Sequence, residues 1–389
     1  MTSPSLARGG LAPSRHRSNA SRAMALPQSL QHVDWILVAA TVAVAALGVV
    51  MVYSATKGTE DDPTTYFLQR QAMFVVIGIG LMAAMAAFDY RRLRDWALPI
   101  AGAALFLLFA VLTPLGTESK GIQAWFEFAG FQLQPAELAK LALIIALAAF
   151  LTLDREEIDG KRLAIILGVA AVPMALIMLQ PDLGTVLVFG VTSLAIVFIA
   201  GARPRHFAVL LLIGIIGTVG ILNSNVLAEY QQNRLTSFLD TSEIGSDARY
   251  NQDQSQNAIG AGRIVGQGLF EGSQTGLGFV PEQHTDFIFT VVGEELGFIG
   301  GAMVLGLLTV ILWRVWRTAQ LARDEFGMLV CVGVLAMLTF QMFENIGMTM
   351  GIMPVTGIPL PLMSYGGSSI LAVFAAIGLV LNVHIHRFA

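Results

Sequence analysis

Glu282, His284 and Asp286 occupy alternate positions in Pro281-Glu282-Gln283-His284-Thr285-Asp286-Phe287-Ile288-Phe289, where a long polar stretch runs into an apolar one. In an extended segment, alternation projects all three side chains together. A carboxylate beside an imidazole suits proton transfer from a hydroxyl. It also suits a metal ion, but His16, His32, His206, His384 and His386 all fall at the opposite end of the helices proposed below. The reading carried forward is a metal-free base at Asp286, with a plain N-cap of the next helix as its alternative.

Other charged or hydroxylic groups stand at similar boundaries. Glu137 and Lys140, in Gln134-Pro135-Ala136-Glu137-Leu138-Ala139-Lys140, are three apart and share a helix face. They form either a local ion pair at a membrane edge or the charged wall of a cavity. Asp182, in Gln180-Pro181-Asp182-Leu183-Gly184-Thr185, either caps a helix or faces the same cavity. Ser364-Tyr365-Gly366-Gly367-Ser368-Ser369 is either a helix cap or a substrate-binding bend, with Ser364, Tyr365 and Ser368 presenting hydroxyls. Glu294, Glu295, Glu344 and Asn345 lie inside apolar runs and are expected to be buried partners. The glycines from Gly260 to Gly268 fail the dinucleotide spacing, and no βαβ unit surrounds them. They suggest a tightly folded loop, with Gly266 and Gly268 as a movable element.

The elements that must hold these groups follow from composition. The chain has 389 residues, of which 55% are hydrophobic and 13% charged. Soluble domains carry about 25% charged residues, so this is an all-α polytopic membrane protein. Ten apolar segments are expected at about 33–54, 68–88, 97–114, 136–153, 163–180, 184–200, 207–223, 287–313, 327–346 and 368–386. With both termini cytoplasmic, 16 of the 23 Lys and Arg face the cytoplasm, as the positive-inside bias requires. That places Arg70, Glu137, Lys140, Asp182 and Asp286 at the outer face. Residues 1–30 read as a disordered cytoplasmic tail, and 31–389 as one membrane domain. The segment 115–135, with Trp125, Phe126, Phe128 and Phe131, reads as an interfacial or re-entrant piece. The outer loop 224–286, between spans 7 and 8, holds eight acids against three bases, which argues against nucleic acid. Cys331 is the only cysteine, so no intrachain disulfide forms.

The sequence resembles the SEDS family (shape, elongation, division and sporulation). The resemblance rests on His284-Thr285-Asp286-Phe287-Ile288-Phe289, Gly293-Glu294-Glu295-Leu296-Gly297, Gln180–Thr185, and Met353-Pro354-Val355-Thr356-Gly357-Ile358-Pro359-Leu360-Pro361 running into Ser364–Ser369. It covers about residues 33–387. Asn345-Ile346-Gly347-Met348 and Tyr365 look nearer to the rod-shape branch than to the division branch. The resemblance implies a ten-span enzyme of the bacterial inner membrane that joins lipid II into glycan strands. It further implies Asp286 as the catalytic aspartate and Arg70, Glu137, Lys140 and Asp182 as cavity residues. It also implies a class B penicillin-binding protein as partner, because the chain has no crosslinking domain. The residues name no certain cofactor, and outer-loop carboxylates could hold a divalent cation against the leaving pyrophosphate. Two rivals remain: a flippase for lipid-linked precursors, against which the two halves show no repeat, and a non-catalytic scaffold for cell-wall synthases.

Overall fold

The computed structural model describes residues 32–57, 65–119, 122–128, 130–153, 158–205 and 247–387. The tail at 1–30, the seventh apolar segment at 207–223 and the loop portion 224–246 lie outside the described residues. The other nine apolar segments are all helical, which agrees with the expected architecture. Seven are long and apolar enough to cross a bilayer: α1 (Trp35–Thr56), α2 (Tyr66–Ala87), α5 (Pro135–Leu153), α6 (Gly160–Met178), α10 (Ile288–Gln320), α11 (Glu325–Thr349) and α12 (Gly367–His386). Two apolar helices are shorter, α4 (Ala97–Ala110) and α7 (Leu183–Ile199). Three smaller helices complete those among the described residues: α3 (Arg91–Asp95), α8 (Asp247–Gly262) and α9 (Ser273–Gly276).

The helices start where polar caps allow it. Asp34 accepts from Leu37 N at 3.2 Å, Asp159 from Arg162 N at 2.7 Å, and Asp324 from Gly327 N at 2.7 Å. Each satisfies one backbone donor that the first turn leaves open. α12 is the most enclosed helix and packs along α2. A small residue permits that approach: Gly78 lies against the Phe374 ring.

Residues 115–135, expected as an interfacial or re-entrant piece, contain strands that the sequence reading did not foresee. They form an antiparallel meander of β1 (Thr117–Ser119), β2 (Ile122–Phe128) and β3 (Phe131–Leu133), so the fold is not purely helical. Phe126 pairs with Leu133 and Phe128 with Phe131 across a turn at Gly130, which has φ +79°. Strand pairing satisfies backbone groups that an irregular segment near lipid would leave exposed.

α10 runs for 33 residues but breaks at Gly297, with φ +64° and ψ −162°. The break frees backbone groups, and the preceding loop takes them up. Gln267 N and Gly268 N donate to the carbonyls of Glu294 and Glu295 at 3.0 and 3.1 Å. Phe298 N and Ile299 N donate to those of Arg263 and Ile264 at 2.9 and 3.1 Å. Gly266 sits at φ +84°, and a methyl group there would come within 2.0 Å of Glu295 O. Gly266 therefore serves close backbone approach in a docked segment, as the tightly folded loop read from the glycines requires.

Candidate active site

The turn that precedes α10 carries Asp286. It is not extended. Glu282 has φ +55°, and its carbonyl accepts from Thr285 N, Asp286 N and Phe287 N, while its carboxylate accepts from Thr285 Oγ1 at 3.2 Å. The alternating projection of Glu282, His284 and Asp286 is therefore replaced by a tight turn. Gln283 anchors it through Nε2 to the carbonyls of Ala55 and Thr275, at 2.7 and 3.0 Å. Asp286 is half-buried.

Two elements hold Asp286 in place. Asn345, fully buried on α11, donates through Nδ2 to the carbonyls of Asp286 and Ile358, both at 2.8 Å. Gly357, at φ +76°, lies so close that a methyl group there would be 3.4 Å from Asp286 Oδ2. The same short segment reaches the start of α7 on its other side. A methyl on Gly184 would be 2.9 Å from both Thr356 O and Ile358 Cγ1. Thr356 Oγ1 donates to the buried Glu344 carboxylate at 2.9 Å. Residues 356–358 thus lie between the Asp286 turn and the Asp182 turn.

Asp182 is the N-cap of α7: it accepts from Thr185 N at 2.9 Å and Thr185 Oγ1 at 2.8 Å. It also accepts from Gln134 Nε2 at 3.3 Å. Gln134 N in turn donates to Ser368 Oγ at 2.9 Å, and that hydroxyl donates to Gln132 O at 3.0 Å. Ser368 therefore ties α12 to β3 and to the head of α5. Ser364 is committed to its own turn, accepting from Leu360 N at 2.8 Å.

The circle closes through aromatic contacts. Tyr365 N donates to His284 O at 2.9 Å. The Phe67 ring lies 4.9 Å from the His284 ring and 5.0 Å from that of Tyr365. The Arg70 guanidinium lies over Tyr66 at 4.5 Å and over Phe131 at 5.5 Å. Burial pushes the Tyr365 phenol above its ordinary pKa, against the lowering effect of its hydrogen bond to Arg70.

Glu137 and Lys140 are a buried pair, with Nζ 2.7 Å from Oε1 and 3% and 4% exposure. The local ion pair that the spacing offered as one alternative is therefore present, and both of its members are buried. Among the described residues Glu137 Oε2 has no hydrogen-bond partner, so the pair keeps unused acceptor capacity at the head of α5. Glu294 is a latch: Ser273 Oγ, Gln274 N, Thr275 N and Thr275 Oγ1 all donate to it, at 2.6–3.3 Å. Glu295 takes Ser54 Oγ at 2.5 Å and Phe270 N at 3.2 Å.

The structure thus gathers Arg70, Asp182, His284, Tyr365, Ser368 and Asp286 on one ring of interlocked segments, with Glu137 and Lys140 on the helix that Gln134 heads. Among the described residues, no three His, Cys, Asp or Glu side chains group as metal ligands. Gln134, Thr356 and Gly357 escaped the sequence reading as site residues. Their partners lie far off in sequence, and only their position inside the quoted motifs marked them.

Known proteins resemble this chain over nearly its whole length. The family profile described as a cell cycle protein of FtsW, RodA and SpoVE type matches residues 34–388. Stage V sporulation protein E of Bacillus subtilis (strain 168) is 40% identical over 356 residues, 90% of this chain and 96% of that protein. A probable peptidoglycan glycosyltransferase FtsW of Geobacter metallireducens (strain ATCC 53774 / DSM 7210 / GS-15) is 37% identical over 365 residues, 92% and 96% of the two chains. A chain from a solved structure described as the structural coordination of polymerization and crosslinking by a peptidoglycan synthase complex superposes with TM-score 0.76 at 35% identity. It covers 92% of this chain and 98% of that one.

Proposed function

Because the chain belongs to the FtsW, RodA and SpoVE family of cell cycle proteins, we propose that it polymerises lipid II with Asp286 as general base. It is a SEDS-type peptidoglycan glycosyltransferase. The supporting observation is the ring itself: Asp286 meets one side of the 356–358 segment and the Asp182 turn meets the other. Arg70, Tyr365 and His284 gather across the same end of the bundle.

The chemistry follows from that layout. An acceptor sugar hydroxyl attacks the anomeric carbon of the donor disaccharide. A new glycosidic C–O bond forms, and the C–O bond to the undecaprenyl pyrophosphate breaks. Asp286 takes the hydroxyl proton, and a base so placed contributes roughly 10²–10⁴-fold. The pyrophosphate leaves with its negative charge offset by Arg70 and Lys140. Asp182, Glu137, Glu282, His284, Tyr365, Ser364 and Ser368 shape the sugar and pyrophosphate sites. The apolar helix faces hold the lipid tails.

The proposed setting is the bacterial cytoplasmic membrane, with both termini inside and this ring outside, on the charge bias of the loops. The similarity of Asn345–Met348 and Tyr365 to the rod-shape branch favours a role in elongation. A single-span class B penicillin-binding protein is the proposed partner, with its helix on the lipid face of the bundle and further contacts to the outer loop. Copurification with such a protein, lost when its transmembrane helix is exchanged, tests that contact. The function itself is tested by incubating the purified chain, alone and with partner, with lipid II. Glycan strands and released undecaprenyl pyrophosphate are the expected products. Movement of intact lipid II across vesicles without polymer would favour the flippase instead, and neither activity would leave the scaffold.

A further inference from the structure

Two cavities meet at the arginine-rich end of the bundle, opposite the ring. One, about 940 Å³, opens to solvent and is rimmed by Arg91, Arg94, Arg323, Asp95, Asp324 and Glu325. The other, about 900 Å³, is an apolar groove between α4, α5 and α6, floored by small residues such as Ala101, Ala142, Ala146 and Gly168. Arg94, Asp95 and Leu153 line both, so the polar rim continues into the apolar groove.

The rim mixes signs, and Arg91 lies over the Tyr90 ring at 5.9 Å. Arg94 donates to a neutral partner, the Thr152 carbonyl, at 2.7 Å. Among the described residues, no carboxylate forms an ion pair with Arg91, Arg94 or Arg323. Asp324 is occupied by Gly327 N and by the Tyr90 hydroxyl. Asp95 and Glu325 are exposed and take part in no ion pair among the described residues. The bland account is that the arginines only set orientation. It accounts neither for Asp95, exposed and without an ion pair among the described residues, nor for the groove that starts at the same residues.

We propose that this double cavity is a binding site for an aminophospholipid of the leaflet at this end, the phosphate on the arginines and the ammonium on Asp95 and Glu325. Guanidinium groups match phosphate oxygens in paired geometry. The ammonium supplies the donors that the two carboxylates lack, which neither a choline nor a glycerol headgroup does with a positive, hydrogen-bonding nitrogen. One acyl chain lies in the groove. From Leu153 to Ala139 the groove face of α5 climbs about 21 Å, and one leaflet's hydrocarbon is roughly 15 Å thick. A single chain therefore fits along its length. The site is independent of the polymerase reading, since no residue of the ring belongs to it.

The test is lipid retention by the full-length protein. Purified protein is exchanged into a detergent mixture holding equal phosphatidylethanolamine, phosphatidylglycerol and phosphatidylcholine, and retained lipids are counted by native mass spectrometry. Phosphatidylethanolamine should be retained over both others. Each interfacial charge is worth about fivefold in binding. Arg323→Gln should therefore weaken phosphatidylethanolamine and phosphatidylglycerol alike, whereas Glu325→Gln should weaken phosphatidylethanolamine alone. Ala146→Phe, which fills the groove, should displace the lipid without touching the rim. Arg323 and Glu325 are exposed, and an unchanged thermal transition checks that both variants fold. Equal retention of the three lipids, preference for phosphatidylglycerol, or indifference to Arg323→Gln, Glu325→Gln and Ala146→Phe would each overturn the proposal.

Discussion

Replacing Asn345 by Leu asks whether the ring positions Asp286 or only surrounds it. Asn345 Nδ2 donates to two carbonyls, those of Asp286 and Ile358, at 2.8 Å each. Both partners are acceptors, so the nitrogen must face them, which leaves Oδ1 buried without a partner. Each neutral hydrogen bond contributes about 0.5–1.5 kcal/mol, so leucine forfeits about 1–3 kcal/mol. Removing the orphaned Oδ1 returns about 1 kcal/mol of desolvation. The net stability loss should be small, about 0–2 kcal/mol. The catalytic loss should be larger, because a misplacement of about 1 Å costs on the order of 10²-fold. In a lipid II polymerisation assay, Asn345→Leu should lower kcat by roughly ten- to hundredfold with little change in KM. The deciding arm repeats the change in an Asp286→Asn background. If Asn345 acts through Asp286, the second substitution adds little there, since the two are coupled. An equal loss in both backgrounds, or no loss in either, would refute the positioning role.

Three further outcomes follow from the same contacts. Glu137→Gln with Lys140→Met should fold about as well as the parent, because replacing both members of a buried pair is often neutral, but should lose most turnover; Lys140→Met alone should cost about 3–5 kcal/mol in a denaturation series. Gly266→Ala should undock residues 263–268, seen as faster hydrogen exchange there, because a side chain at positive φ costs about 1–2 kcal/mol before its contact with Glu295 O is counted. Glu294→Ala removes the acceptor of four hydrogen bonds; limited proteolysis near 273–276 should quicken while α10 stays intact.

The bundle was legible in the sequence because apolar runs of bilayer length are a local signal. So was the placement of Asp286 just ahead of a span. The segment's shape was not legible: alternation suggested an extended strand, whereas the Glu282 carbonyl gathers three N–H groups into a turn. The meander at 117–133 was hidden for a related reason, since aromatic residues near a membrane suit an interface as well as a strand. Lys140 illustrates a different limit. Spacing paired it with Glu137, but only packing shows that both are buried. Asn345 was read as a buried partner, yet its carbonyls lie 59 and 13 residues away. Contacts such as Ser368 with Gln134 exist only after the helices assemble, so no local pattern announces them.

The central claim is that Asp286 takes the acceptor proton. Asp286→Asn keeps the shape of the side chain and removes the base. The most direct measurement is the rate of glycan-strand formation from lipid II by this variant, purified with its partner and matched to the parent in thermal transition. The rate should fall by about two orders of magnitude or more. A folded Asp286→Asn protein that polymerises at near the parent rate would contradict the assignment.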